Sequence, residues 1–293
     1  MFQVKATRFR DWVVLVLAGL GTIALLLLPL PGVSGRQHWS ALFSELENLG
    51  HPLAFGMLAH LSFRLLRSRL PAPARLPYVL VLLAAAVFGL ASEVLQRYVG
   101  RDAEWIDVFG DVLGASFVLL LHARREHPGS RLPATAAAVV VLIATAPLFW
   151  TVAAYAYRTA QAPLLWRADA RLFQRFSQVK SGTYPGLVIE EPLPDWSGYR
   201  TLVIHVRNLH DVTAPIVVRV HDRRHNQESE DRYNQSFELA ADAHETLRIP
   251  LEGIRQAPHG RQMDLTAIRG VVVFQTAANV PLSFAVSEIR LER

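Results

Sequence analysis

The 293-residue sequence contains no cysteine, and only 19% of its residues are charged. The absence of cysteine excludes a disulfide framework and a zinc site built on cysteine ligands. The G-x-S-x-G motif, the P-loop, the dinucleotide fingerprint and the HExxH motif are also absent, so no common signature identifies a reaction. Apolar residues, in contrast, make up 51% of the chain, which excludes disorder over most of its length.

Positive charge is concentrated in the first half of the chain. Residues 1–162 hold 14 Lys and Arg against 9 Asp and Glu, whereas residues 163–293 hold 16 of each. Because the second half has no basic excess, the net charge of +5 does not indicate a nucleic-acid partner. The long apolar runs also lie in the first 160 residues. This distribution predicts a membrane region followed by a soluble one.

Five apolar segments are long enough to be considered membrane spans. They cover residues 13–31, 51–66, 77–95, 106–121 and 133–157, which places a membrane domain over residues 1–157. We expect the first segment to remain uncleaved, because it is long for a signal peptide and no clear cleavage site follows it. Ten Lys and Arg residues precede the first span or lie in alternate loops. This asymmetry predicts a cytoplasmic N-terminus and an exported C-terminal domain.

Polar residues gather at the opposite, outer ends of three predicted spans. Three pairs occur there at helical spacing, so that each pair lies on one helix face: Glu47 with His51, Glu93 with Gln96, and Asp107 with Asp111. A charged Asp inside the hydrocarbon layer costs about 2.5–3.5 kcal/mol. We therefore expect Asp111 to face the bundle interior, either neutral or paired with Arg101 or His51. The pairs predict an outward-facing polar pocket, with a purely structural network between short helices as the alternative.

Two further features of the spans favour structural interpretations. His60 lies alone in the middle of the second span, as a packed histidine would. Gly110 and Gly114 form a G-x-x-x-G pair, which is typical of close helix packing.

The polar segments resemble a known membrane family. They read ENLGHPLAF in the second span and SEVLQRYVGRDAEWIDVFGDVLGA across the third and fourth. This pattern resembles the VanZ-like family, in which an acid, a Lys and a His precede Glu-x-x-Gln, an Arg and Asp-x-x-x-Asn-x-x-Gly. The matching positions are Glu47, His51, Phe55, Glu93, Gln96, Arg101, Asp107 and Gly114. Asn48 replaces the usual Lys and Asp111 the usual Asn, so the site is more acidic than the family pattern.

The resemblance covers about residues 13–122 and has specific implications. It implies four VanZ-like spans plus one, in a bacterial cytoplasmic membrane, and suggests a link to glycopeptide-antibiotic resistance. It also supports a shared site at Glu47, His51, Glu93, Gln96, Arg101 and Asp107, and with Asp111 these are the predicted catalytic residues. It implies no particular reaction.

The second half of the chain follows a short linker at residues 158–165, and its apolar residues alternate with period two. Strands are predicted at residues 201–208, 215–222, 236–240, 245–251, 269–276 and 282–291, with turn residues between them. We expect residues 166–293 to form an all-β sandwich of about eight strands. Segments such as WSGYRTLVIHVRN and DRYNQSF resemble galactose-binding-like jelly rolls found in carbohydrate-binding modules.

One loop of this domain is dense in polar residues. The segment HDRRHNQESEDRYN, residues 221–234, lies between two predicted strands. The residues proposed for saccharide binding are Trp196, Asp222, Arg232, Tyr233 and Asn234. The alternative, favoured for most of these residues individually, is a solvated loop with an Asp222–Arg232 ion pair and with Trp196 in the core. His221 and His225 alone are a weak metal signal, because no third ligand lies nearby.

Two functions fit these features. In the first, a cell-envelope protein binds or processes a lipid-linked saccharide or an anionic lipid head group, and the β domain binds the glycan. Arg101 would contact the anionic group, and His51 or Glu93 would act in acid–base chemistry.

In the second, a non-catalytic membrane-anchored scaffold binds carbohydrate or protein. A transporter fits less well, because the spans carry no evident repeat. No cofactor or metal is expected, and the expected partners are membrane lipids and lipid-linked or cell-wall glycans.

Overall fold

The computed structural model describes residues 17, 21, 39–69, 75–98, 105–276 and 281–293. These residues form two compact units, one over Leu42–Phe149 and the other over residues 39–41 together with Trp150–Arg293. The first predicted span lies outside the described residues except for Leu17 and Gly21.

The first unit is helical. The helices of this part of the chain are α1 (Ser40–Asn48), α2 (Gly50–Arg67), α3 (Leu76–Tyr98), α4 (Trp105–Glu126) and α5 (Leu132–Ala160). Among the described residues, α3, α4 and α5 are long and apolar enough to cross a membrane, which indicates membrane association. Of the five predicted spans, the three that correspond to α3, α4 and α5 are thus supported. The predicted second span corresponds to α2, which carries two histidines and two arginines in only 18 residues.

The core of the helical unit is small and lies between α2, α3 and α4. It contains Phe55, Ala59, Phe63, Val81, Ala85, Ala115 and Leu119. The outward faces of the long helices are also apolar, with Leu83, Val87, Leu142 and Phe149 exposed. Contiguous exposed apolar surface of this kind is unfavourable in water and suits a hydrocarbon environment.

The second unit is a β-sandwich of two antiparallel sheets. Its strands are β1 (Leu164–Arg167), β2 (Ser177–Lys180), β3 (Gly186–Ile189), β4 (Thr201–Asn208), β5 (Ala214–Asp222), β6 (Tyr233–Leu239), β7 (His244–Pro250), β8 (Ile268–Gln275) and β9 (Phe284–Glu292). One sheet has the order β1-β9-β4-β7 and the other β2-β3-β8-β5-β6. A short helix, α6 (Leu251–Gln256), follows β7 directly.

The alternating pattern located the long strands well and missed the short ones. The prediction for β4 matches its bounds, and the other five predicted strands deviate by at most three residues at either end. Strands β1, β2 and β3 have only four residues each, too few for period two to be recognised. The inward side chains of both sheets form one continuous core that includes Trp196, Ile216 and Val273.

Candidate functional site

Polar side chains from three helices meet at one place in the helical unit. His51 lies at the start of α2, Glu93 near the end of α3, and Asp107 and Asp111 at the start of α4. The Nδ1 atom of His51 lies 3.2 Å from Asp111 Oδ1, and its Nε2 atom lies 4.0 Å from Asp107 Oδ2. One donor atom each from His51, Glu93 and Asp107 lies within 4.8 Å of the other two. We call these four residues and Gln96 the histidine–carboxylate cluster.

Gln96 extends the cluster along α3. With its amide nitrogen turned toward Glu93, Gln96 donates to the two carboxylate oxygens at 3.1 and 3.2 Å. The three-residue spacing puts both side chains on one face of the helix, and both are buried. The amide therefore holds the Glu93 carboxylate in place.

Glycines allow the three helices to approach closely enough for the cluster to form. A Cβ atom at Gly114 of α4 would lie 2.0 Å from the backbone oxygen of Pro52 on α2. A Cβ atom at Gly89 of α3 would lie 2.6 Å from Asp111 Oδ2. The packing role predicted for the G-x-x-x-G pair thus holds for Gly114, whereas a Cβ at Gly110 would make only an ordinary contact, 3.7 Å from Pro52.

Asp111 is the most deeply buried member of the cluster. Its side chain is fully buried, with 0% exposure. One carboxylate oxygen is bonded to His51, as expected from the sequence, while Oδ2 has no hydrogen-bond partner. Buried polar atoms are almost always satisfied, so an orphaned carboxylate oxygen requires an explanation.

Two residues predicted for this site are not placed in the cluster. Glu47 is exposed on α1, because that helix ends at Asn48 and α2 begins at Gly50. Glu47 and His51 therefore do not share one regular helix, and only His51 is buried. Arg101 lies outside the described residues.

His60 is packed against a histidine of another helix, in keeping with the packed role expected from sequence. Its Nδ1 atom lies 3.1 Å from Nε2 of His122 on α4. The two rings stack with centroids 5.1 Å apart. Periodicity within one helix could not reveal this pair, because its members lie 62 positions apart in the chain.

Three of the residues proposed for saccharide binding have structural roles in the sandwich. The Trp196 ring is fully buried and Nε1 donates to the backbone oxygen of Leu193. The Tyr233 ring is also part of the core. Neither ring can stack on a saccharide, which corrects the role predicted for both.

Asp222 is buried and paired, but not with Arg232 as the alternative expected. Its two oxygens accept hydrogen bonds from Arg261 Nη1 at 2.6 Å and Nη2 at 2.9 Å. The backbone N–H groups of Arg224 and Asp264 donate to them as well. Its acceptor capacity is therefore used within the fold, and the binding role predicted for Asp222 is also corrected.

Arg232 and Asn234 remain reachable at the surface. Asn234 is exposed, accepts a hydrogen bond from Arg219 Nε at 3.1 Å and donates to the backbone oxygen of Ser229 at 3.2 Å. Arg232 is half-buried, and its Nε has no hydrogen-bond partner.

A polar cleft of about 610 Å³ lies on the second sheet of the sandwich. It is lined by residues of β2, β3, β5 and β8 and of the loop after β5, including Lys180, Glu190, His221, Arg223, Asn226 and Arg269. The sequence pointed to the loop but could not identify the whole cleft, because Lys180 and Arg269 are remote from it in the chain.

Charged side chains of both signs line the cleft. The cations are Lys180, Arg223 and Arg269, and the carboxylates are Glu190 and Asp222. Burial lowers the pKa of His221 to about 4, and the nearby His225 and Arg269 contribute in the same direction. His221 is therefore neutral at pH 7, and its Nδ1 atom has no hydrogen-bond partner.

Comparison with known proteins identifies no family for the chain. No family model matches it, so the VanZ-like resemblance remains a prediction. No curated protein matches it either.

Several solved structures are similar to the C-terminal part of the chain. One is a family 11 carbohydrate-binding module from Clostridium thermocellum in complex with a beta-1,3-1,4-mixed-linked tetrasaccharide. It is 20% identical, with 38% of this chain and 71% of that chain covered and a TM-score of 0.31. Another is an exo-beta-agarase, 18% identical, with 39% of this chain and 19% of that chain covered and a TM-score of 0.31.

Proposed function

We propose that this is an integral membrane protein of the bacterial cell envelope that binds or processes an anionic lipid head group or a lipid-linked saccharide. The observation that carries the proposal is the meeting of His51, Glu93 and Asp107 within 4.8 Å between α2 and the two apolar helices α3 and α4. Ionisable groups inside membrane helices are costly, and they mark functional sites by default.

The His51–Asp111 pair provides an oriented imidazole. When Nδ1 carries the proton, it donates to Asp111 Oδ1, and the lone pair of Nε2 faces the side of Asp107. This tautomer can accept a proton from a hydroxyl group or a water molecule at the cluster. Glu93 and Asp107 are the carboxyl groups that can return one.

We place the glycan-binding site at the cleft of the sandwich rather than at Trp196 and Tyr233. Lys180 and Asn226 border this cleft and can donate hydrogen bonds to saccharide oxygens. Three cationic side chains line the cleft, and of its two carboxylates Asp222 is already paired with Arg261. This excess of positive charge favours a saccharide that carries carboxylate or phosphate groups.

The orientation of the chain in the membrane is also proposed. The Lys and Arg residues of the alternate loops favour a cytoplasmic N-terminus and an exported sandwich. With this orientation, both the helix cluster and the cleft would act on envelope components.

A survival assay tests the proposal. A strain lacking the protein is complemented with wild type, Glu93→Gln, Asp107→Asn or Glu238→Gln and grown with a sub-lethal glycopeptide antibiotic. We expect wild type and the control Glu238→Gln, at an exposed residue of β6, to restore growth. Glu93→Gln and Asp107→Asn should fail to restore it at equal protein level, and full complementation by both would overturn the proposal.

A membrane-anchored scaffold is the second candidate function, favoured by the close packing at Gly114. It predicts that replacing the helices with an unrelated anchor preserves growth, provided that the sandwich remains exported. Loss of growth in that chimera, with the sandwich folded and exported, favours the first function.

A further inference from the structure

The donor atoms of the histidine–carboxylate cluster come from three helices and differ in chemistry. His51 contributes an imidazole nitrogen, and Glu93 and Asp107 contribute carboxylate oxygens, all within 4.8 Å of one another. His51 and Glu93 are buried, and Asp107 is nearly so, with a side-chain exposure of 15%. One imidazole with two carboxylates is a donor set that suits divalent first-row transition metals.

The two nitrogens of His51 have different surroundings. Nδ1 lies at hydrogen-bond distance from Asp111. Nε2 lies 4.0 Å from Asp107 Oδ2, too far for a hydrogen bond. Two metal–ligand bonds of about 2.0–2.2 Å each would span that separation. A histidine that binds a metal through one nitrogen and a carboxylate through the other is the usual arrangement around protein-bound metals.

The surroundings of Asp111 are a second, independent observation in favour of a bound cation. Its carboxylate is fully buried, and Oδ2 has no hydrogen-bond partner. Buried carboxylates are normally paired with a cation or hydrogen-bonded, so this group points to positive charge close to it. A divalent cation bound next to His51 would supply that charge.

We infer that the cluster binds one divalent transition-metal ion of the zinc class. The ligands are His51 Nε2, Glu93 and Asp107. Asp111 is a positioning residue that holds the His51 ring through Nδ1. Three protein ligands leave a coordination position open for water or for an oxygen of a substrate, as in catalytic zinc sites.

This inference deepens the proposed function and rests on it only for what the ion would do. With the ion bound, His51 Nε2, Glu93 and Asp107 are ligands, and the ion replaces the acid–base role given to them above. The open position would polarise a phosphoryl or carbonyl oxygen of a lipid-linked substrate. Binding of the ion depends only on the residues of the cluster and can be measured without any substrate.

The test is metal binding by the purified full-length protein in detergent. After removal of metal with a chelator, Zn²⁺ binding is measured by equilibrium dialysis with elemental analysis. We expect one ion per chain. Glu93→Gln and Asp107→Asn should weaken binding at least tenfold, Asp111→Asn by about 10- to 100-fold, and the control Glu238→Gln, at an exposed residue of β6, should leave it unchanged.

X-ray absorption of the zinc-loaded wild type tests the ligand set without relying on variants that fold poorly. We expect one imidazole nitrogen and otherwise oxygen ligands around the ion. A first shell with two imidazoles would assign the ion to the His60–His122 pair and overturn the inference. Absence of bound zinc, or equal affinity of Glu93→Gln and wild type, would overturn it too. If zinc does not bind while Glu93→Gln still abolishes survival, the proposed function stands without the metal.

Discussion

Asp111 and Asp222 are both fully or almost fully buried, with 0% and 1% exposure, but their surroundings differ. In the sandwich, Asp222 accepts two hydrogen bonds from Arg261 and two from backbone N–H groups. In the helical unit, Asp111 makes one bond to His51 and leaves Oδ2 without a partner.

The difference separates a carboxylate whose acceptors are all used by the fold from one with an unused acceptor. Asp222 uses its full acceptor capacity to hold the loop after β5 against the loop before β8. Asp111 keeps unused capacity at a place where two other carboxyl groups and an imidazole converge. A group that only stabilises a fold is expected to be satisfied by that fold, whereas incomplete satisfaction is expected where a ligand completes the set.

The largest loss of stability is expected from Asp222→Asn. The substitution turns an amide group toward Arg261 and the backbone donors and breaks a buried ion pair, so we expect a loss of about 3–5 kcal/mol in the free energy of unfolding. Denaturation followed by the β-sheet circular dichroism signal of the full-length protein measures it. Glu292→Gln, which removes the more exposed pairs with Arg248 and Arg290, should cost less than about 1 kcal/mol. Equal losses for the two variants would contradict the structural role of Asp222.

A smaller loss of stability is expected at acidic pH. Burial, reinforced by nearby cationic groups, lowers the pKa of His221 from 6.5 to about 4. Between these values the unfolded chain binds a proton that the folded sandwich does not bind. Stability due to His221 is therefore complete above about pH 6.5 and is lost as the pH falls toward 4, by up to about 3 kcal/mol.

Unfolding curves at several pH values check this expectation. His221→Gln should flatten the pH dependence between 6.5 and 4. His259→Gln, which changes an exposed histidine, should leave it as in wild type. An unchanged slope in His221→Gln would show that other groups cause the acid sensitivity.

The next loss of stability is expected from disturbing the packing of α2 against α4, which brings the cluster together. Gly114→Ala places a methyl group 2.0 Å from the backbone oxygen of Pro52, so α2 and α4 must separate. We expect a cost of about 1–3 kcal/mol, measured as a lower melting temperature in detergent. Gly110→Ala on the same helix has room, at 3.7 Å, and should be neutral or slightly stabilising. Similar melting temperatures for both variants would contradict the close approach at Gly114.

Much of this architecture was predictable from residue patterns. Period-two alternation placed β4 and β5 within one residue of their observed bounds. Helical spacing placed Glu93 and Gln96 together on one face of α3. Reasoning about membrane depth also predicted that Asp111 would face inward, either neutral or paired with Arg101 or His51. In the structure it is buried and bonded to His51.

The features that the sequence patterns missed depend on contacts between residues that are far apart in the chain, or on small local changes in the backbone. Glu47 is separated from His51 by a helix break at Leu49, which its spacing did not reveal. The partner of Asp222 lies 39 positions away, where no local rule could have found it. Trp196 and Tyr233 have the residue types of a saccharide platform, but their burial is decided by how the two sheets pack.

The most direct test of a functional role for the cluster is Asp111→Asn, measured for both stability and survival. An amide retains the shape and the acceptor for His51 while removing a buried charge, so we expect a change in unfolding free energy within about 1 kcal/mol. Growth on the glycopeptide antibiotic should nevertheless be lost at normal protein level. Wild-type growth with Asp111→Asn, or a stability loss as large as that of Asp222→Asn, would contradict the functional role and place Asp111 among the structural groups.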